Sequence, residues 1–533
     1  MENSFLNKSK NIANDYIQSV VFLDDRAYKS NVDEAKPNNS FDALRITQSF
    51  AKSEKLCAVY QPQSDEDIEK FKIITTKADA IVLDWEINFP KVVEVGNEED
   101  DDDHEAGLYT KSIIKSALFD EDKLKESSKI IVVYTGDYAI LKNILNEIYA
   151  EVFTSNQLYV VDEKDLSISY SNFKVLVRAK VAEINNATNK HLESFMVSYE
   201  DMPTFILDHF TKLTSGLLSN FALLSLTILR KNSSKILGLF SKEMDSAYLG
   251  HKSIIPKQED AEDLLIELFG DTVKDLLYYV NVNAKIREEL INSWIDENSE
   301  EEDFTDAGKT FKKERNILKS FFTSNDEDAK SRFNNILSHI DKGLKNKILE
   351  NPTKLFTKNS EIFKSLERDE NFAKLTHHKS LFIPKNTLPK LTLGTLIKSN
   401  KSPKYYICIQ QRCDSVRIPK NTDRKFLFIP LTVSDGKFDV LTPDGIKLQK
   451  DKGSFAIRTI KFKCSNDLGI IQADKNKDGK FIFQQFYTNP EDEDFEWILD
   501  LKDLHSQRII IDYTSQLSRV GLDESEWHRR FLS

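Results

Sequence analysis

Residues 19–28 read SVVFLDDRAY. Val20, Val21, Phe22 and Leu23 form the short, unbroken apolar run of a strand buried on both faces. The run ends in two carboxylates, Asp24 and Asp25. Burying one charge is costly, and two side by side cost more. The pair therefore either faces solvent at a strand end or holds a cation.

Similar runs recur downstream. LCAVY (56–60), AIVLDWEI (80–87), KIIVVYTGD (129–137) and FKVLVRAK (173–180) read as strands, and LYVVDEKDLSISY (158–170) as a hairpin. Helix-like stretches separate them: DEDIEKFKIITTK after Ser64, GLYTKSIIKSALF, and YAILKNILNEIYAEVF. Strands alternating with helices predict a doubly wound parallel sheet covered on both faces. The block EEDDDDHE at Glu98–Glu105 reads as a solvated loop insertion.

From about Val181 to Ala373 apolar residues fall at three-four spacing, as in AEDLLIELFGDTVKDLLYYV, which predicts helices. SEEEDFTDAG (Ser299–Gly308) is expected to be a linker or exposed loop. From Leu381 onward KYYICIQ, KFLFIPLTV, FDVLTP, SFAIRTIKFKC, LGIIQA, KFIFQQFY and RIIIDY read as strands between turns, predicting an antiparallel barrel or sandwich. LDESEWHRRFL reads as a closing helix capped by Asp523. The expected domains are 1–190 (α/β), 191–375 (α-helical) and 376–533 (β-rich).

Composition narrows the function. The chain has 533 residues, too many for one core. Its net charge of −12 argues against binding nucleic acid by bulk electrostatics. Only 16 glycines are present, and neither G-x-G-x-x-G nor G-x-x-x-x-G-K-[ST] occurs. FALLSLTIL (Phe221–Leu229) is about half the ~20 residues of a membrane span and reads as a buried core helix. MENSFLNKSKNIANDY shows no apolar leader, and four cysteines give no disulfide framework. A cytoplasmic protein without a membrane partner is expected.

The third strand also ends in an acid, Asp84. A parallel sheet places its site at the carboxyl ends of its strands, so Asp24, Asp25 and Asp84 are expected to converge there. Three close carboxylates do not all stay ionised unaided, and a hard divalent cation such as Mg²⁺ resolves the conflict. Thr135 ends the fourth strand and offers a hydroxyl to a phosphoryl oxygen. A lysine at the end of the last strand would supply an ammonium. These are the parts of a phosphoryl-transfer site with Asp84 as nucleophile.

Over about residues 15–190 this constellation resembles the receiver domain of two-component response regulators. The resemblance implies a flavodoxin-like fold and an acidic metal pair at Asp24 and Asp25. It further implies a phosphoacceptor at Asp84, the hydroxyl at Thr135, bound Mg²⁺ and a partner sensor histidine kinase. The phosphate-site lysine is Lys180, with Lys164 as the alternative. The family's Lys-Pro is missing at both, Val177 or Val161 stands where an aromatic switch residue is usual, and INFP replaces the usual Met-Pro after the acceptor. The whole chain also resembles the long receiver-containing proteins of bacterial phage-defence two-component systems, as in Detocs. That likeness implies a phosphate sink, or buffer, beside a second response regulator. The rival readings are a pseudo-receiver that does not react, an output regulator with an unrecognised effector, and an Asp-nucleophile phosphatase, whose Asp-x-Asp the D-D-R here does not supply.

Other motifs read as ordinary structure. DKNKDGKFIFQQ (Asp474–Gln485) nearly matches a calcium loop, but Gln485 replaces the bidentate Glu, so a hairpin turn is expected. Cys408, Cys413 and Cys464, with His377, His378 and His505, are not spaced as a zinc site. His209 and Lys212 carry the H-x-x-K spacing of a phosphotransfer helix, yet a helix-surface histidine is expected. Lys374–Lys425 holds 12 Lys and Arg against two Asp. It reads as a Lys-rich surface rather than a nucleic-acid site.

Overall fold

A computed structural model describes residues 4–28, 41–88, 106–120, 123–124, 127–153, 159–170, 172–182, 187–255, 260–306, 308–324, 328–379, 387–450, 457–486 and 493–517. The acidic block Glu98–Glu105, Pro90 of INFP and the closing helix LDESEWHRRFL lie outside these residues. The chain divides into two compact units. One comprises 1–301 with 313–338, the other 302–312 with 339–533.

The first unit is built on an eight-stranded sheet. Its strands are β1 (Ser19–Leu23), β2 (Leu56–Tyr60), β3 (Ala80–Leu83), β4 (Lys129–Thr135), β5 (Val160–Asp162), β6 (Ser167–Tyr170), β7 (Phe173–Lys180) and β8 (Met196–Val197). The order is β2-β1-β3-β4-β7-β6-β5, parallel through β7 and antiparallel beyond it, with β8 parallel to the end of β7. The parallel α/β expectation and the hairpin at β5–β6 are both found.

Successive side chains of a strand point to opposite faces, and the apolar runs supply both. Val21, Leu23, Ile81, Leu83, Ile131 and Val133 face α3 (Asp65–Thr75), α4 (Leu108–Leu118) and α5 (Leu141–Val152). Val20, Phe22, Ala80, Val82, Ile130 and Val132 face α1 (Phe5–Tyr16), α2 (Ala43–Lys52), α6 (Met202–Thr214) and α7 (Leu217–Leu239). Ser64 caps α3 through the Asp67 N–H, and Asp65, Glu66 and Asp67 fill its first turn. Acids there complement the helix dipole.

Helix α7 corrects the buried-helix expectation for Phe221–Leu229. Leu223, Ser225, Thr227 and Ile228 are buried, whereas Phe221 and Leu226 are exposed. The helix is amphipathic, and no described helix is long and apolar enough to cross a membrane. Helices dominate the region that follows, as expected. The segment read as a linker at Ser299–Gly308 instead enters a hairpin, Glu302–Asp306 paired with Lys309–Lys313. Phe304 and Phe311 are its buried anchors, and Gly308 at φ +76° turns the chain between them. Each strand carries a single apolar residue among charged and polar ones, too few to show a strand's alternation in the sequence.

The β-rich segment expected from Leu381 onward forms a nine-stranded antiparallel sheet in the second unit. Its order is Val440–Leu441, Lys447–Lys450, Asp423–Val433, Tyr405–Cys408, Thr395–Ser399, Phe495–Asp500, Phe481–Phe483 and Asp474–Lys475, with Arg458–Lys463 also on Asp423–Val433. The Asp474–Gln485 segment is the hairpin turn expected: Asn476 accepts from the Asp478 and Lys480 N–H groups, and Gly479 has φ +79°. LGIIQA forms no strand beyond a bridge at Gln472. RIIIDY is helical, within Asp503–Leu517. Ser506, Ile509 and Tyr513 are its buried positions, a spacing of three and four that only a helix presents on one face.

Candidate functional site

In an open parallel sheet the crevice lies at the carboxyl ends where strand order reverses. Here that point is between β1 and β3, whose last residues, Leu23 and Leu83, are in register. Asp24 and Asp25 follow β1 and Asp84 follows β3. One oxygen from each of the three carboxylates lies within 4.8 Å of the others. Asp24 and Asp25 are only 2 % and 3 % exposed, so the pair does not simply face water.

Lys180, the last residue of β7, reaches into this cluster from across β4. Its Nζ is 3.0 Å from Asp24 Oδ2, while Asp24 Oδ1 accepts from the Arg26 N–H at 2.9 Å. Lys164 sits in the turn after β5, exposed, its N–H bonded to Asp162. Of the two lysines, Lys180 is the one at the carboxylates. The rings of Phe41 and Tyr134 lie 5.3 Å and 5.9 Å from its Nζ, and the Tyr134 hydroxyl donates to Val197 O in β8 at 2.6 Å. Aromatic faces favour a cation held this way.

Thr135 ends β4 and is buried, its Oγ1 accepting from the Asp137 N–H at 3.2 Å. Its own proton is left to donate. Arg26, Asp84, Glu86, Thr135, Gly136, Asp137 and Lys180 line a cleft of about 60 Å³. Small-molecule sites are typically ~300–1,000 Å³, so this cleft suits an ion and a phosphoryl-sized group.

The loop after β3 is braced. Thr110 on α4 donates to Asp84 O at 2.6 Å, and Asp84 Oδ1 accepts the Trp85 N–H at 2.9 Å. The Trp85 ring is buried against Gly107, where a Cβ would come within 2.2 Å of it, and Gly107 has φ +81°. Only glycine meets both conditions without strain.

Burial pushes the Asp84 carboxyl up to about 8; Lys180 and the Trp85 N–H pull it down, while Asp24 and Asp25 push it further up. Burial also works against the Lys180 ammonium, but Asp84 and Asp24 outweigh it and hold Lys180 above the ordinary lysine range. One ammonium does not offset three carboxylates. At an effective dielectric of 20, two charges 4 Å apart repel by about 4 kcal/mol. An all-oxygen donor set of this charge fits Mg²⁺, which takes one or two carboxylates and keeps waters for a phosphate.

The parallel sheet and the acidic cluster at its carboxyl ends lie within a stretch that matches a known domain. Residues 16–184 match the family model of the response receiver domain. The match spans about a third of the chain. No curated protein and no solved structure matches the chain. A receiver domain implies a phosphodonor partner such as a histidine kinase.

Sequence reasoning missed Arg26, Glu86, Phe41 and Thr110. Arg26 directly follows the acid pair and was open to notice. Phe41 and Thr110 reach the site only through folding. The histidine expected on the surface of α6 is instead buried: His209 is 7 % exposed, its ring 4.5 Å from that of Phe205. The rings of His377 and His505 stack 3.6 Å apart, a proximity that their spacing did not reveal. Cys408 and Cys464 are buried and Cys413 is exposed.

Proposed function

We propose that Asp84 accepts a phosphoryl group from a phosphohistidine of a partner kinase, and that this chain serves as a phosphate sink. The observation that carries the reading is the convergence of Asp24, Asp25, Asp84 and Lys180 at one end of the receiver sheet. An Asp84 oxygen attacks phosphorus, the P–N bond breaks, and the imidazole leaves with the electron pair and takes up a proton. Thr135 donates its O–H to one phosphoryl oxygen, and the Lys180 ammonium meets the charge on another. Asp24, Asp25 and Asp84 would hold Mg²⁺, which when bound neutralises phosphoryl charge. Attack of water on phosphorus then breaks the P–O bond to Asp84 and restores the carboxylate.

Two features support the sink over a switch. Val177, fully buried on β7, stands where the receiver family carries its aromatic relay. The order of receiver, helical region and β-rich region resembles the buffer regulators of phage-defence systems. Phosphotransfer followed on a gel is expected to label the wild type and not Asp84→Asn. In cells, Asp84→Asn should raise phosphorylation of a second regulator fed by the same kinase. A silenced response in that variant would make the chain an output component. Absence of label from both kinase and acetyl phosphate would make it a pseudo-receiver.

A further inference from the structure

We propose that the phosphoacceptor site is completed from beyond the matched stretch: Tyr134 and Phe41 position the Lys180 ammonium, and Val197 and Tyr199, which follow residue 184, hold those two rings. The proposal rests on the reading of Asp84 as the acceptor.

Lys180 carries its charge on a flexible four-carbon stem and is buried. Its ionic partner is Asp24, one of the carboxylates that would also hold Mg²⁺. Once Asp24 serves as a metal ligand, less of its charge is left for the lysine. The rings of Phe41 and Tyr134 lie on the same ammonium. An aromatic face attracts a cation, more strongly away from water. It acts on the charge as a whole, whereas Asp24 takes a single N–H of the three that an ammonium offers. Donors are therefore left for a phosphoryl oxygen. A second carboxylate in place of the rings would hold the lysine by taking those donors up.

The rings in turn are held by residues 197–200. Val197 stands opposite Lys180 in the pairing of β7 with β8, and its carbonyl accepts the Tyr134 hydroxyl. The Tyr199 ring meets that of Tyr134 edge-on at 6.2 Å and that of Phe41 edge-on at 5.6 Å. Its hydroxyl accepts from the Asp42 N–H at 3.2 Å. Glu200 receives Arg45 of α2 on both of its carboxylate oxygens. This short segment thus ties β4, β7 and the start of α2 together around one ammonium. It gives the chain after the receiver a task in the chemistry of the site, in keeping with a sink that needs no separate output.

The experiment uses the full chain and two readouts: the rate at which acetyl phosphate labels Asp84, and the Mg²⁺ concentration that half-changes Trp85 emission. Tyr134→Leu is expected to slow labelling by about ten- to a hundredfold, the cost of a misplaced group at a reacting centre. It should also tighten Mg²⁺ binding severalfold, because a released ammonium competes less for Asp24. A merely loosened core would weaken both. Tyr134→Phe keeps the ring and should retain most of the labelling rate. In a Lys180→Ala background Tyr134→Leu should change neither readout, because residues that act through one another are not additive. Should Tyr134→Leu fail to unfold cooperatively in urea, Tyr199→Leu, at a half-buried position, carries the same comparison. Effects that persist in full without Lys180, an unchanged Mg²⁺ affinity, or equal losses in the Phe and Leu variants would each overturn the proposal. A wild type that takes no label would defeat the acceptor reading alone, since the Mg²⁺ comparison needs no phosphoryl group.

Discussion

Asp24 and Lys180 are 156 positions apart in sequence and form a buried ion pair at 3.0 Å. Breaking a buried pair by removing one partner typically costs 3–5 kcal/mol. Lys180→Ala is therefore expected to lower metal-free stability by about that much, read from urea midpoints. Lys164→Ala should stay within about 0.5 kcal/mol of wild type. Mg²⁺ should restore part of the Lys180→Ala loss, because it neutralises the same carboxylates. In the wild type, Mg²⁺ at a hundred times its dissociation constant should add about 2.7 kcal/mol and change the emission of Trp85 beside Asp84. Asp24→Asn combined with Asp25→Asn should abolish both responses. A double variant that still responds fully would remove the metal from this site.

Helices and strands position these residues, and their legibility differed with their chemistry. Runs such as VVFLDD, AIVLD and KIIVVYT were readable because a strand buried on both faces leaves no polar position before its end. The three site acids and Thr135 stand at or just past such ends, so they were readable too. Lys180 was readable only as the first choice over Lys164, since each stands at or just past a strand end and only the fold shows which of them reaches the acids, from across β4. RIIIDY misled because β-branched residues suit a strand locally, while its buried positions follow a helix. At this scale Gly107 makes a sharp prediction. Gly107→Ala meets both a positive φ and the Trp85 ring, so about 2–3 kcal/mol of stability should be lost. Displaced Trp85 emission and slower labelling of Asp84 should accompany the loss. The α6 helix makes another. Burial holds His209 down to about 4, well below the ordinary 6.5. The unfolded chain then takes up a proton that the folded chain refuses. His209 thus leaves stability untouched above about 6.5 and lowers it as pH falls from there towards 4. In His209→Gln the urea midpoint should fall less steeply over that window. An unchanged slope would mean that other groups set it.

For the whole molecule, the receiver face formed by β1, β3 and β4 is closed by α6 and α7, which lie beyond residue 190. Met202, Ile206, Phe210 and Leu223 belong to one core with Phe22, Val82 and Val132. A fragment ending at residue 190 is expected to aggregate or to show non-cooperative unfolding, whereas one ending at residue 338 should unfold cooperatively. Equal behaviour of the two would favour the boundary expected at 190. The sheet's far edge carries a different consequence. Strands β5, β6 and β7 run consecutively and pair antiparallel, in contacts between residues close in sequence. The pairs β1–β3 and β3–β4 join residues some 50 to 60 apart, as Val20 with Ala80 and Ala80 with Ile130. Loop closure makes such distant pairings slow, whereas local hairpins form in microseconds. As the chain emerges from synthesis, the strand that carries Lys180 can assemble with its own neighbours before it docks on β4. The lysine that completes the acidic cluster thus travels on a meander held by contacts local in sequence, while the carboxylates it meets are brought together by distant pairings.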